Sequence, residues 1–300
     1  MSASPSFQVS QPWHHRAEQF VIRSAASKVF PLRWLYPQPP TELVGKTGRL
    51  SVEIVSHCWR YAHLQAYQLS SLVEHAPQDI DVTMTVFYAE EDQATQALLD
   101  FFAQQRVPNV TWNWQKLTPP ELFRRAIGRN QAALASKADW VWFTDCDLCF
   151  GAGALDTLNA RLQGCKAPLV YPQEERVTCL LTDDSPMLTA AKEPALVRID
   201  EAEFTSKAVT RATGPLQITH GDMARQMGYC NGVKAYLRPE SQWAKCYEDR
   251  VFRWLLNTPG TALDLPGVYR IRHETKGRYT DGKARVALRS SIRKTQERLK

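Results

Sequence analysis

Two carboxylates one residue apart, Asp145 and Asp147, follow directly on the apolar run Trp140 to Phe143. Acids in that setting can hold a hard divalent cation, and the cation can hold a diphosphate. The plainer role is a solvated turn whose acids cap the next helix. Position separates the two. Aromatic and β-branched residues from Trp140 to Thr144 suit a strand buried on both faces, and open α/β sheets bind ligands outside the carboxyl ends of their strands. A second acidic pair, Glu248 and Asp249, lies on a candidate amphipathic helix from Gln242 to Leu256. Trp243, Cys246, Phe252 and Leu256 supply that helix's apolar face. Asp249 stands three residues from both Cys246 and Phe252, at the edge of the face, where a carboxylate can take a proton from a hydroxyl. Glu248, about 100° round the helix, is the second choice. The competing role for Asp249 is a surface acid paired with Arg250 or Arg253.

Other residues with chemistry are more scattered. Glu90, Glu91 and Asp92 follow an apolar run, again acids at a strand's carboxyl edge. His57 stands at the end of the first strand and can face a nucleotide or serve a turn. His273 follows the last strand; a lone histidine is more often structural than a ligand. Lys276 and Arg278 can reach a diphosphate or be solvated. Asn231-Gly232 precede the helix of the acidic pair, and a glycine there lets a chain approach a sugar closely. Cys146 and Cys149 form a C-x-x-C, but the second pair of a zinc knuckle is missing and so is a thioredoxin-like context.

The elements that position these residues alternate. Strands are expected at Arg49 to Val55, Asp81 to Tyr88, Val110 to Trp114 and Trp140 to Thr144, with helices at Tyr61 to His75, Gln93 to Arg106 and Pro119 to Lys137. Alternation of this kind is the mark of a doubly wound, mostly parallel α/β sheet. Beyond Gly151 the pattern gives a helix from Ala154 to Leu162 and strands at 168–172, 176–181, 195–199, 232–237 and 268–272. Asp183 to Lys192 reads as a loop, and 281–300 as a basic helix. Before the sheet, Glu18 to Val29 reads as a helix with Phe20, Val21 and Ala25 on its packing face. The chain divides into an N-terminal arm (1–49), a catalytic domain (50–275) and a basic tail (276–300).

The 300 residues carry a net charge of +6, unevenly spread. Residues 1–50 hold six Lys/Arg against two acids, and 276–300 hold nine against two, so the middle is mildly acidic. Basic ends on an acidic body point away from nucleic acid and toward an anionic surface such as phospholipid, or toward plain solvation. No apolar run is long enough for a transmembrane helix, the first residues lack the pattern of a secretory signal, and an odd set of seven cysteines reads as reduced thiols. These features place the protein in the cytoplasm, with peripheral contact at the inner face of the membrane as an extension. Neither G-x-G-x-x-G nor a Walker loop is present; a metal at Asp145 and Asp147 would supply the missing phosphate clamp.

Taken in order, these motifs resemble the GT-A fold glycosyltransferases, nearest to family 2, over roughly residues 50 to 275. Val52 to Ser56 resembles the family's opening strand, Glu90 to Asp92 its base- or ribose-binding acid, and Arg129-Asn130-Gln131-Ala132-Ala133 its ARN-x-G helix. Thr144 to Asp147 resembles the D-x-D, and Glu248-Asp249 the E-D pair. The second strand ends without the common D-D-x-S, and the Q-x-x-R-W of processive enzymes is not visible. The resemblance implies transfer of a sugar, with inversion, from a nucleotide-diphospho-sugar (a UDP-sugar is favoured) to a saccharide or lipid-linked acceptor. It implies Mn2+ or Mg2+ held by Asp145, Asp147 and His273, a donor site of Ser56, His57, Glu90, Asp92, Arg129, Asn130, Asp145 and Asp147, an acceptor side at Asn231 and Gly232, and Asp249 or Glu248 as base. Two other classes remain open: a nucleotidyltransferase, which would want a glycine-rich loop where Ser56 to Arg60 has none, and a non-catalytic protein of the same fold.

Overall fold

A computed structural model describes residues 7, 9, 13–241 and 247–274. The expected helix over 281–300, residues Lys276 and Arg278, and the apolar positions Trp243 and Cys246 lie outside the described residues.

The chain opens with α1 (Trp13–Ala26) and then lays down β1 (Leu50–His57), α2 (Ala62–Glu74), β2 (Ile80–Tyr88), α3 (Gln93–Ala103) and β3 (Val110–Lys116). After these come α4 (Pro119–Leu122), α5 (Arg125–Ala135), β4 (Trp140–Phe143), β5 (Leu148–Phe150) and α6 (Ala154–Leu162). The second half contains β6 (Leu169–Pro172), β7 (Glu174–Thr178), α7 (Pro186–Ala190), β8 (Phe204–Ala208), β9 (Gln217–His220), α8 (Gly221–Met227), α9 (Glu248–Leu255), β10 (Thr261–Leu263) and β11 (Val268–Arg270). Seven strands form the main sheet in the order β10-β6-β9-β4-β1-β2-β3. Within it β1, β2, β3 and β4 run parallel, while β9 is antiparallel to both β4 and β6. A second sheet, β5-β11-β7-β8, holds the strand that follows the D-x-D.

Period-two alternation divides the core. Val52, Ile54, Trp140 and Trp142 face α2, α3 and α6, whereas Val55, Val141 and Phe143 face α5, α8 and α9. All four residues of β4 are buried because helices cover both faces of the sheet. Trp142 is fully buried only because its indole N–H donates to Pro215 O at 3.0 Å.

Several expected elements differ. The helix anticipated from Pro119 to Lys137 is broken at Phe123 and Arg124, and the break directs the buried Arg124 guanidinium to the carboxylates of Glu240 and Glu248. The loop anticipated at 183–192 contains α7, opened by Pro186 in its first turn. No strand forms at 195–199; at 232–237 there is a 3-10 turn, Lys234–Tyr236. α1 begins five residues early and buries His15, Ile22 and Ala25, leaving Phe20 and Val21 exposed.

Candidate active site

Strands β1 and β4 are neighbours, and the chain order reverses between them, which is where a doubly wound sheet opens a crevice. Their ladder pairs Val55 with Phe143 and continues one residue, Thr144 N donating to Val55 O at 2.9 Å. Asp145 and Asp147 therefore leave the sheet at this switch point, beside His57. A buried amide network from α2 holds the turn. Gln68 Nε2 donates to Asp145 O (3.0 Å) and Leu148 O (2.8 Å), Gln65 Nε2 donates to Gln68 Oε1 (2.9 Å), and the Ser56 hydroxyl donates to Gln65 Oε1 (3.3 Å). Buried polar groups need such partners, and Ser56 is part of the network that holds the turn. On the other side Ile271 N donates to Asp147 O at 2.9 Å, continuing the antiparallel pairing of β5 with β11. That pairing carries His273 past the D-x-D.

The two carboxylates differ. Asp145 accepts from Arg125 Nη1 and, at 3.1 Å, from Arg129 Nη2. Arg129 is buried; its Nη2 also donates to Thr144 O (2.9 Å) and its Nη1 to the Tyr229 hydroxyl (2.9 Å), with the guanidinium over the Tyr229 ring. A buried arginine needs this set of acceptors to offset its desolvation. Asp147 is 7 % exposed, and His273 is buried edge-on to Tyr61. Among the described residues no group of three or more His, Cys, Asp or Glu gathers around one point. Ions such as Mg2+ take one or two carboxylates and complete their shells with water and substrate phosphates. Asp145 is engaged by two arginines.

His57 ends β1 as a strand residue, not as part of a turn. Its ring stacks on Phe87 with centroids 5.0 Å apart, and a Cβ added at Gly128 of α5 would fall 2.4 Å from its Nε2. Glycine at 128 thus lets α5 close onto the strand end. Burial first, then the charges of Arg129 and Arg125, push the imidazole well below the usual histidine range, while Asp145 pulls it up. The ring is neutral at pH 7. Since the unfolded chain binds a proton there more readily, His57 contributes stability above the ordinary histidine pKa and loses it as pH falls. The melting temperature is expected to drop between about pH 7 and pH 5, and to drop less in His57→Phe. Equal slopes in the two proteins would remove His57 from this role.

A hydrogen-bonded route leads from the D-x-D to the second acidic pair. The Tyr229 hydroxyl donates to Gln217 Oε1 at 3.0 Å, and Gln217 Nε2 donates to Asp249 O at 3.1 Å. Gln217 pairs with Phe143 across the β4–β9 ladder, so the start of α9 lies at the same sheet edge as Asp145. The acids open this helix instead of standing in its middle, because Tyr247 has φ 60° and a left-handed residue cannot continue a helix backward. Glu248 is buried and 3.7 Å from Arg124 Nη1; Asp249 is a third exposed and 4.0 Å from Arg253 Nη2. Asp249 is thus the acid of the pair that faces solvent, and its contact with Arg253 is the one the sequence offered as the alternative.

Solved structures that are similar to this chain include the following. Residues 1–349 of TarS from S. aureus share 12% identity at a TM-score of 0.45, over 74% of this chain and 60% of that one. A structure of the same segment in complex with UDP-GlcNAc gives 12% and 0.45 over 78% and 61%. Mannosyltransferase PcManGT from Pyrobaculum calidifontis, in complex with GDP-Man and Mn2+, shares 18% at 0.44 over 92% and 72%. The chain spans about three fifths of the TarS segment it matches. No family profile and no curated protein match the sequence.

The remaining motif residues fall in two groups. Asn130 and Asn231 meet: Asn130 Nδ2 donates to Asn231 Oδ1 at 3.1 Å, and Asn130 Oδ1 accepts from Tyr229 N at 2.9 Å. Gly228 between them has φ 59°, and a Cβ there would fall 2.3 Å from Asn130 Oδ1. The nearest neighbours of Gly232 are Tyr36 and Pro37 of the arm. In the other group, Asp92 caps α3, accepting from the Thr95 hydroxyl (2.6 Å), Thr95 N (3.3 Å) and Arg60 N (2.5 Å). Glu90 is exposed and bonded to Lys116 Nζ at 2.5 Å. Arg125, Gln68, Gln217 and Tyr229 escaped the sequence reading. Only Arg125 carried a signal, standing one helical turn before Arg129.

Proposed function

We propose that this chain is a metal-dependent glycosyltransferase that moves a sugar from a nucleotide-diphospho-sugar, a UDP-sugar first among them, to the hydroxyl of a saccharide or lipid-linked acceptor. The observation that carries this reading is the chain of contacts Asp145–Arg129–Tyr229–Gln217–Asp249, which ties the acid pair after β4 and a solvent-facing acid to one sheet edge. Asp147 and His273 would hold Mn2+ or Mg2+, which when bound supplies Lewis-acid stabilisation of the leaving diphosphate. Arg125 and Arg129 orient Asp145 toward sugar or ribose hydroxyls. Asp249 takes the proton of the acceptor hydroxyl as its oxygen bonds to the anomeric carbon and the bond to the diphosphate oxygen breaks, which inverts that carbon. His57 and Asn130 line the nucleotide side in this reading. A nucleotidyltransferase is disfavoured because Ser56 to Arg60 contains no glycine to cradle a triphosphate.

A screen of nucleotide sugars for donor hydrolysis, with and without manganese, tests the proposal. Metal-dependent release of a nucleoside diphosphate from at least one donor is expected. Failure of every donor both to turn over and to raise the melting temperature in the presence of manganese would leave the non-catalytic reading in its place.

A further inference from the structure

Among the described residues, ten large apolar side chains are exposed, and seven of them fall between residues 13 and 35: Trp13, Phe20, Val21, Val29, Phe30, Trp34 and Leu35. The helix α1 accounts for three. At 100° per residue, Trp13, Ala17, Phe20, Val21 and Ser24 occupy one arc of about 100°, separate from the arc of about 80° that holds the buried His15, Ile22 and Ala25. The buried side packs on α9 and on the turn at Lys234–Tyr236, so the outward stripe is a second face, largely apolar, that no described residue covers. Val29, Phe30, Trp34 and Leu35 are exposed in the segment that follows the helix. The segment is held in place, for Arg33 donates to Trp254 O (3.1 Å) and Leu255 O (2.5 Å) at the end of α9, and Arg250 Nη1 donates to the Ser27 hydroxyl (2.8 Å).

We propose that this face docks on an anionic phospholipid surface, with α1 lying in the plane of the interface. The charges decide the occupant. Between Trp13 and Leu35 the bases are Arg16, Arg23 and Lys28 besides Arg33, which is turned onto the end of α9, and the single acid is Glu18, whose carboxylate turns inward to accept from Ala235 N at 3.4 Å. Tryptophan and phenylalanine at the polar–apolar boundary, with arginine and lysine beside them, suit a headgroup layer. No helix of the described residues is long and apolar enough to cross a membrane, so contact would be from one side. This inference narrows the lipid contact to a structured apolar face within the basic N-terminal segment and does not depend on the catalytic reading.

The experiment is co-sedimentation of the full chain with phosphatidylcholine vesicles containing or lacking phosphatidylserine. The chain is expected to pellet with the anionic vesicles and less so at high salt. The double variant Phe20→Glu/Trp34→Glu, at positions 59% and 73% exposed and so harmless to packing, should bind them roughly ten-fold more weakly or worse with an unchanged melting temperature. Undiminished binding by that variant, or no binding by the wild type, overturns the proposal. So does a wild type that sediments as a dimer while the variant is monomeric, since the face would then cover a second copy.

Discussion

Replacing Asp147 with alanine is expected to abolish manganese-dependent binding of a nucleoside diphosphate while the protein stays folded. The side chain is buried at the end of the D-x-D, and the turn that carries it is held by backbone bonds to Gln68 and Ile271 that the substitution leaves intact. A cation that keeps substrate phosphates in its shell depends on few protein donors, so loss of one carboxylate removes much of its affinity. Calorimetry of the diphosphate with manganese is the measurement; unchanged affinity in Asp147→Ala would remove the metal from this turn. Asp145 offers a built-in contrast. Its carboxylate is the acceptor for the buried Arg129, so Asp145→Ala leaves that guanidinium short of a charge partner and should also lower stability, by roughly 1–3 kcal/mol after allowance for its partial exposure. The two substitutions therefore separate ligand binding from folding.

The sequence made some of this edge legible. β4 is wholly apolar and β1 and β2 are rich in buried apolar residues because helices cover both faces of the sheet, and the acids after β4 could be seen at once. Other parts depend on contacts distant in the chain. β9 reads Gln217-Ile218-Thr219-His220, polar enough to pass as a loop, yet all four residues are buried. Its glutamine is satisfied by Tyr229 and by the backbone of α9, and no local pattern announces such partners. β8 is exposed at four of its five positions and pairs on one side only, so it lacks the alternation that marks a strand. β5 is three apolar residues that resemble the lead-in to α6. Periodicity placed α9 correctly but began it too early, since the left-handed Tyr247 has no signature in a tyrosine. For α1 the same method failed in an informative way: a helix apolar on two separate sides has two candidate packing faces, and the chain buries the one containing Ile22.

The Asp249→Asn substitution is expected to leave donor binding nearly unchanged and to cut turnover by on the order of a hundred-fold or more. The argument rests on the contrast within the pair. Glu248 is buried beside Arg124, whose guanidinium also meets Glu240, so it is held inside an ion cluster and its loss should be felt as instability. Asp249 opens to solvent, 4.0 Å from Arg253, which sits one turn along the helix and can steady the carboxylate without enclosing it. Its backbone, held by Gln217, fixes the start of α9 against the edge of β4. Asparagine preserves that backbone bond and the side-chain volume, so a drop in turnover would report basicity rather than position. Turnover under saturating donor, measured beside the donor dissociation constant, distinguishes the two. If Asp249→Asn keeps full turnover while Glu248→Gln loses it at unchanged stability, the base is Glu248; if both variants remain active, proton removal takes place on another element of this sheet edge.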